Sequence, residues 1–177
     1  RNRNLQFYFC SIVIMKLSVI ITTYNAEEWL HKVLVGYSVQ TIDDFEIVIA
    51  DDGSTDKTKA VLALFSNKFK YPIVHVWHED KGFRKSEILN KAILKTNSDY
   101  LLFTDGDCIP RKDFVSIHLK NKEVNYFLSG GYFKLPMDVS KAITDNDVET
   151  QNCFNVSWLK KQGLNLNFKA TKLTHNR

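Results

Sequence analysis

Glycine-rich phosphate loops are missing from this 177-residue chain. It contains no G-x-G-x-x-G and no G-x-x-x-x-G-K-[ST], which excludes the usual dinucleotide loop and the P-loop. Cysteine is scarce: Cys10, Cys108 and Cys153 are odd in number and far apart. That excludes a disulfide framework and zinc-ligand spacing, and it makes a reduced, cytoplasmic compartment the default. Long hydrophobic runs are lacking too. The apolar stretch from Leu5 to Met15 follows a basic start, as a signal sequence would, but it is too short to span a bilayer and Lys16 interrupts it. No small-residue cleavage site follows. We therefore read Met15 as the natural start, residues 1–14 as upstream sequence, and residues 1–15 together as an N-terminal extension to the domain that begins at residue 16. No charge of one sign dominates, since 24 basic residues face 20 acidic ones, net +4. Without a basic run or stripe, the balance argues against nucleic acid. Basic residues near an anionic membrane surface contribute about 1 kcal/mol each, so peripheral association with the inner face of a membrane stays compatible. There is no internal repeat and no low-complexity segment.

What the chain does have is a packed-core composition, 44% hydrophobic with twelve Phe and seven Tyr. Strand-like and helix-like stretches alternate. "LSVIITTY" (17–24) is β-branched and nearly continuous, as a strand buried on both faces requires. Asn25 is placed to cap a helix over 26–39, where Trp29, Leu30, Val33, Leu34 and Tyr37 recur at helical spacing. "FEIVIA" (45–50) predicts the second strand. A helix capped by Ser54 or Thr55 follows, with Ala60, Val61, Leu64 and Phe65 on one face. "PIVHVW" (72–77) predicts the third strand, 84–96 the next helix, and "YLLFT" (100–104) the fourth strand. This β-α-β-α-β-α-β order predicts an α/β fold: a Rossmann-like, mostly parallel sheet with helices on both faces. Beyond Pro110 the pattern weakens. Phe114 to Lys122 suits a short helix, "YFLSGGYFKL" (126–135) a strand with a Gly-Gly bulge, and the stretch after it one or two helices.

Ligands of such sheets bind beyond the carboxyl ends of the strands. There the sequence places "TTYN", "DDGS", "HEDKGFR" and "DGD", all polar and three of them with carboxylates. Two readings of Asp105-Gly106-Asp107 compete. A D-G step is ordinary turn chemistry. Alternatively the two carboxylates converge on a divalent cation, magnesium or manganese, which takes one or two carboxylates plus substrate phosphates. The small Gly106 would then let a ligand approach the backbone.

"KLSVIITTYN", "DDGSTDKT" and "DKGFRKSEILNKAILKTNSDYLLFTDGDCIPRKDF", in this order and spacing, resemble the nucleotide-sugar domain of family 2 glycosyltransferases, with the GT-A fold. The "DKGFR" version is similar to bacterial galactosyl- and hexosaminyltransferases that build capsule or lipopolysaccharide chains. The resemblance covers residues 16–135, and it implies that 136–177 begin an acceptor-side region that is incomplete. It implies a metal-dependent, inverting transfer from a nucleotide-sugar, most simply a UDP-sugar, to a glycan or lipid-linked glycan in cell-surface polysaccharide synthesis. Thr22 and Tyr24 match the motif that contacts the base. Asp52, with Asp51 beside it, matches the aspartate that accepts the uracil imide N–H, a group cytosine lacks. Arg84 matches a basic residue near the diphosphate. Asp105 and Asp107 match the D-x-D motif, with Asp105 near ribose or metal and Asp107 on the metal.

The acceptor's proton must pass to a carboxylate. Asp145, Asp147 and Glu149 are the only cluster available for that. The competing reading makes them an acidic first turn favourable to a helix dipole. His75 and His78 read as satisfied rim histidines, and Trp29 and Trp158 as packing residues. Cys108 has no base partner, which argues against a nucleophile. Two other functions stay open: a binding fragment without an acceptor half, and a nucleotidyltransferase. "TTYNAEE" argues against the latter, whose first loop is usually rich in glycine and arginine.

Overall fold

The computed structural model describes residues 16–164. The N-terminal apolar stretch and Cys10 lie outside the described residues. Four strands form one sheet: β1 (Ser18–Thr23), β2 (Glu46–Asp51), β3 (Ile73–Trp77) and β4 (Leu101–Asp105). All neighbours are parallel, in the order β3-β2-β1-β4. The four predicted strands are therefore present, each within a residue or two of its expected bounds.

The apolar runs of β1 and β2 bury both faces of the sheet, and the period of two sorts their side chains. Val19, Ile21, Ile47 and Ile49 point into the larger core, with Leu30, Val33, Leu34 and Tyr37 of α1 (Glu27–Ser38) and Leu62 and Phe65 of α2 (Asp56–Ser66). Ile20, Val48, Ala50 and Val76 point the other way, onto Ile88 and Ala92 of α3 (Lys85–Ile93). Helices thus cover both faces, as expected of parallel strands joined by helical crossovers.

The chain runs outward from β1 to β2 and β3, and then returns to place β4 on the other side of β1. The gap beyond the carboxyl ends of β1 and β4 is therefore a topological switch point, where doubly wound sheets bind ligands.

After α4 (Phe114–Asn121) the structure departs from expectation. Residues 126–135 form no strand; Tyr126, Phe127 and Tyr132 are exposed instead. Alternating aromatics suit a strand only where a neighbouring strand takes up the backbone groups, and no described strand pairs with this segment. The stretch expected to hold one or two helices holds α5 (Met137–Ala142), α6 (Asp145–Glu149), a 3₁₀ turn (Asn152–Phe154) and α7 (Val156–Lys161). Ile143, Val148 and Cys153 from this stretch join the larger core. The buried Lys32 Nζ of α1 donates to the carbonyls of Ser140 (3.1 Å) and Lys141 (3.3 Å), fastening the end of α5. A cation on the last carbonyls of a helix is the favourable arrangement.

Asn25 does not cap α1. The cap position is Ala26, and Asn25 itself is left-handed at φ 44°, a conformation asparagine tolerates better than most residues. Its side chain accepts from Thr55 N (3.0 Å), and its own N–H donates to Ser54 Oγ (2.9 Å). Asn25 thus ties the turn after β1 to the start of α2. Thr55 holds the cap position of α2, without a side-chain bond to the helix.

Candidate active site

The turn after β2 is built from the inside. Asp51 is fully buried. Its Oδ1 accepts from Ser54 N (2.8 Å), and its Oδ2 lies 2.8 Å from His75 Nε2 on β3. Burial pushes the Asp51 carboxyl up, but the bonds from His75 and Ser54 outweigh it and hold the group below its ordinary value. Asp52 is 6% exposed. Its Oδ1 lies 2.6 Å from His78 Nε2, and its Oδ2 accepts from Arg84 N (2.9 Å). Both histidines are therefore satisfied rim residues, as read from the sequence. Gly53 is required here: its φ is +99°, and a Cβ would come within 2.6 Å of the Asp80 backbone.

The turn after β4 is open. Asp105 Oδ1 accepts from Thr22 Oγ1 (2.9 Å) and Lys85 Nζ (2.6 Å). The Lys85 hydrogen bond holds the Asp105 carboxyl below its ordinary value, with help from Thr22. Asp107 is exposed, and the Cys108 thiol approaches its Oδ1 at 3.6 Å. Burial, with Asp107 beside it, raises the Cys108 thiol to about 11. That keeps it protonated at neutral pH and no nucleophile. Gly106 lines the cleft and also serves the fold: its N donates to Thr22 O (2.8 Å), and a Cβ would lie 2.7 Å from that same oxygen.

These turns border a cleft of about 400 Å³, within the range of small-molecule sites. Thr22, Tyr24, Asp52, Asp105 and Asp107 line it together, joined by Trp29, Phe83 and Lys85. Tyr24 is half exposed, and its hydroxyl donates to Asp80 Oδ2 (2.8 Å). Phe83 is 88% exposed at the mouth.

Two expected residues are placed elsewhere. Asp51 lies behind the cleft as an internal anchor. The Arg84 guanidinium bonds Glu87 Oε2 (3.0 Å) and the Glu79 carbonyl, and it does not line the cleft. The basic side chain that does is the next one, Lys85, which the motif reading passed over. Its signal was the "RK" pair opening α3, where either residue can face the sheet end. Trp29, read as packing, is half-buried and lines the cleft.

The acidic cluster beyond β4 does not line the cleft. Asp147 and Thr144 form a reciprocal capping box at the start of α6. Asp145 Oδ2 lies 2.8 Å from His31 Nε2 on α1, and Glu149 ends α6 exposed. The helix-start reading fits Asp145 and Asp147, which stand in the first turn of α6, and not Glu149.

Among the described residues, no group of three or more His, Cys, Asp or Glu side chains is placed to hold a metal ion by itself. Asp105 and Asp107 nevertheless bring two carboxylates to one cleft. That donor set fits a cation that completes its shell with phosphate oxygens and water. Among the described residues, no helix is long and apolar enough to cross a membrane.

The profile of Glycosyl transferase family 2 matches residues 18–159. A relative from Bacillus subtilis, named as the uncharacterized glycosyltransferase YfnE, is 34% identical over 123 residues, which are 68% of this chain and 31% of YfnE. The poly(ribitol-phosphate) beta-N-acetylglucosaminyltransferase TarS of Staphylococcus aureus is 32% identical over 95 residues, 52% of this chain and 16% of TarS. A crystal structure of TarS 1–349 in complex with UDP-GlcNAc aligns at 25% identity and a TM-score of 0.51, covering 71% of this chain and 38% of that one. The chain thus spans less than a third of either curated relative's length. Together with the parallel sheet and its covering helices, the match confirms the GT-A arrangement, and the chain belongs to glycosyl transferase family 2.

Proposed function

We propose that the cleft binds the nucleoside diphosphate of an activated sugar, most simply a UDP-sugar, and that the whole protein passes that sugar with inversion to a glycan acceptor in cell-surface polysaccharide synthesis. The observation that carries this reading is the meeting of Thr22, Tyr24, Asp52, Asp105 and Asp107 in one cleft at the switch point. The UDP-GlcNAc complex of TarS supports the donor class.

Each residue has a physical task. The Tyr24 ring offers a flat apolar face for a base. Asp52 is fixed by His78 and Arg84 N, yet a carboxylate has about four lone-pair sites, so it can still accept an imide N–H. A base without that proton, such as cytosine, turns a lone pair toward the carboxylate instead of a donor, which is a basis for rejection. Asp105 and Asp107 would hold a divalent cation. Bound there, it would offset the charge gathering on the departing diphosphate. Residues 16–135 form the donor side in this reading and 136–177 the start of the acceptor side. We assign Asp147 to capping α6 and Asp145 to the contact with His31 on α1, rather than to the acceptor's proton.

Thermal unfolding of this chain with UDP, with and without manganese, tests the reading, with CDP and ADP as controls. A ligand at 100 times its dissociation constant adds about 2.7 kcal/mol. We expect a manganese-dependent rise in Tm for UDP that CDP and ADP do not match. Equal shifts for all three nucleotides would remove the role of Asp52. No shift for any would remove the donor site.

A further inference from the structure

Among the described residues that line the cleft, Lys85 is the only basic one. It opens α3, and its Nζ sits 2.6 Å from Asp105 Oδ1, the oxygen that also accepts from Thr22. The pair is partly exposed, the side chains being 40% and 57% accessible. The ammonium ends a flexible four-carbon stem, so it can reach more than one acceptor.

Resting on the donor-site reading above, we propose that the Lys85 ammonium and a divalent cation compete for Asp105, and that Lys85 turns to the donor diphosphate when the cation takes its place. Two positive charges on one carboxylate oppose each other. A diphosphate arriving with the cation supplies the anion the ammonium needs. Binding of cation and diphosphate is then mutually strengthening, because each removes a cost from the other, and the coupling is reciprocal. Arg84 cannot substitute while its guanidinium is engaged by Glu87 and the Glu79 carbonyl.

Lys85→Met keeps most of the stem and removes the charge. Two calorimetric titrations of parent and variant decide the matter: manganese alone, and UDP at saturating manganese. The variant should bind manganese alone more tightly and UDP more weakly, each by roughly fivefold or more, the lower end of ordinary coupling between sites. Lys85→Arg, which keeps the charge, should stay closer to the parent in both. If Lys85→Met weakens both ligands, or changes neither, Lys85 is only a clamp on Asp105 and the inference fails while the donor site stands. If the parent itself shows no manganese-dependent UDP binding, the donor-site reading fails, and this inference with it.

Discussion

Two aspartate turns stand at the same rim, Asp51–Ser54 after β2 and Asp105–Cys108 after β4, and they are finished in opposite ways. In the first, both carboxylates are buried, and all four of their oxygens have partners within the protein. In the second, the carboxylates are exposed; one oxygen of Asp105 holds Thr22 and Lys85, while Asp107 meets the Cys108 thiol. A carboxylate already satisfied by its own fold serves architecture first, and one left accessible is free to take a ligand. Asp52 joins the two roles, since it is anchored yet still lines the cleft.

The contrast is broken most strongly from the buried side. Asp51→Ala leaves His75 and Ser54 N without their partner, and breaking a buried pair of this kind costs about 3 kcal/mol or more. Chemical denaturation should show that loss whether or not nucleotide is present. Gly53→Ala comes next. The left-handed φ and the contact with the Asp80 backbone predict a loss of about 1–3 kcal/mol, again read by denaturation. By comparison, Asp107→Ala should change stability by about 0.5 kcal/mol or less, as for an ordinary surface substitution.

Acid sharpens the same contrast. The Asp51 carboxyl is held below its ordinary value in the folded chain. Its contribution is therefore present above the unfolded value, about 3.9, and is lost as pH falls through the lowered folded one. Asp51→Asn should flatten the acid side of the stability–pH profile. The smallest effect is at Tyr24. Its hydroxyl, after Gly82 N, helps hold Asp80 below the ordinary carboxylate range. Tyr24→Phe should let the Asp80 carboxyl rise toward that range in an NMR titration, with the fold unchanged.

Much of this was legible in the sequence. The β-branched runs of β1 and β2 and the helical spacing of Leu30, Val33, Leu34 and Tyr37 carry their own burial, so the succession of strands and helices along the chain followed. The rim motifs followed from the same logic, since a parallel sheet gathers its turns at one end. Three things did not follow. Motif spacing does not tell which of Arg84 and Lys85 faces the cleft; that depends on side-chain direction at the first turn of α3. The alternation in 126–135 reads as a strand, but a strand exists only with a partner for its backbone. Finally, nothing in "DD" shows that both carboxylates are anchored from within, because their partners His75 and His78 stand more than twenty residues away.

The central claim is that the turn after β4 holds a cation that holds a diphosphate. Its most direct test is calorimetric titration of UDP into Asp107→Ala, with and without manganese, beside the parent chain. The account predicts manganese-dependent UDP binding in the parent and its loss in the variant, at nearly equal melting temperatures. A variant that binds UDP and manganese as the parent does would contradict it.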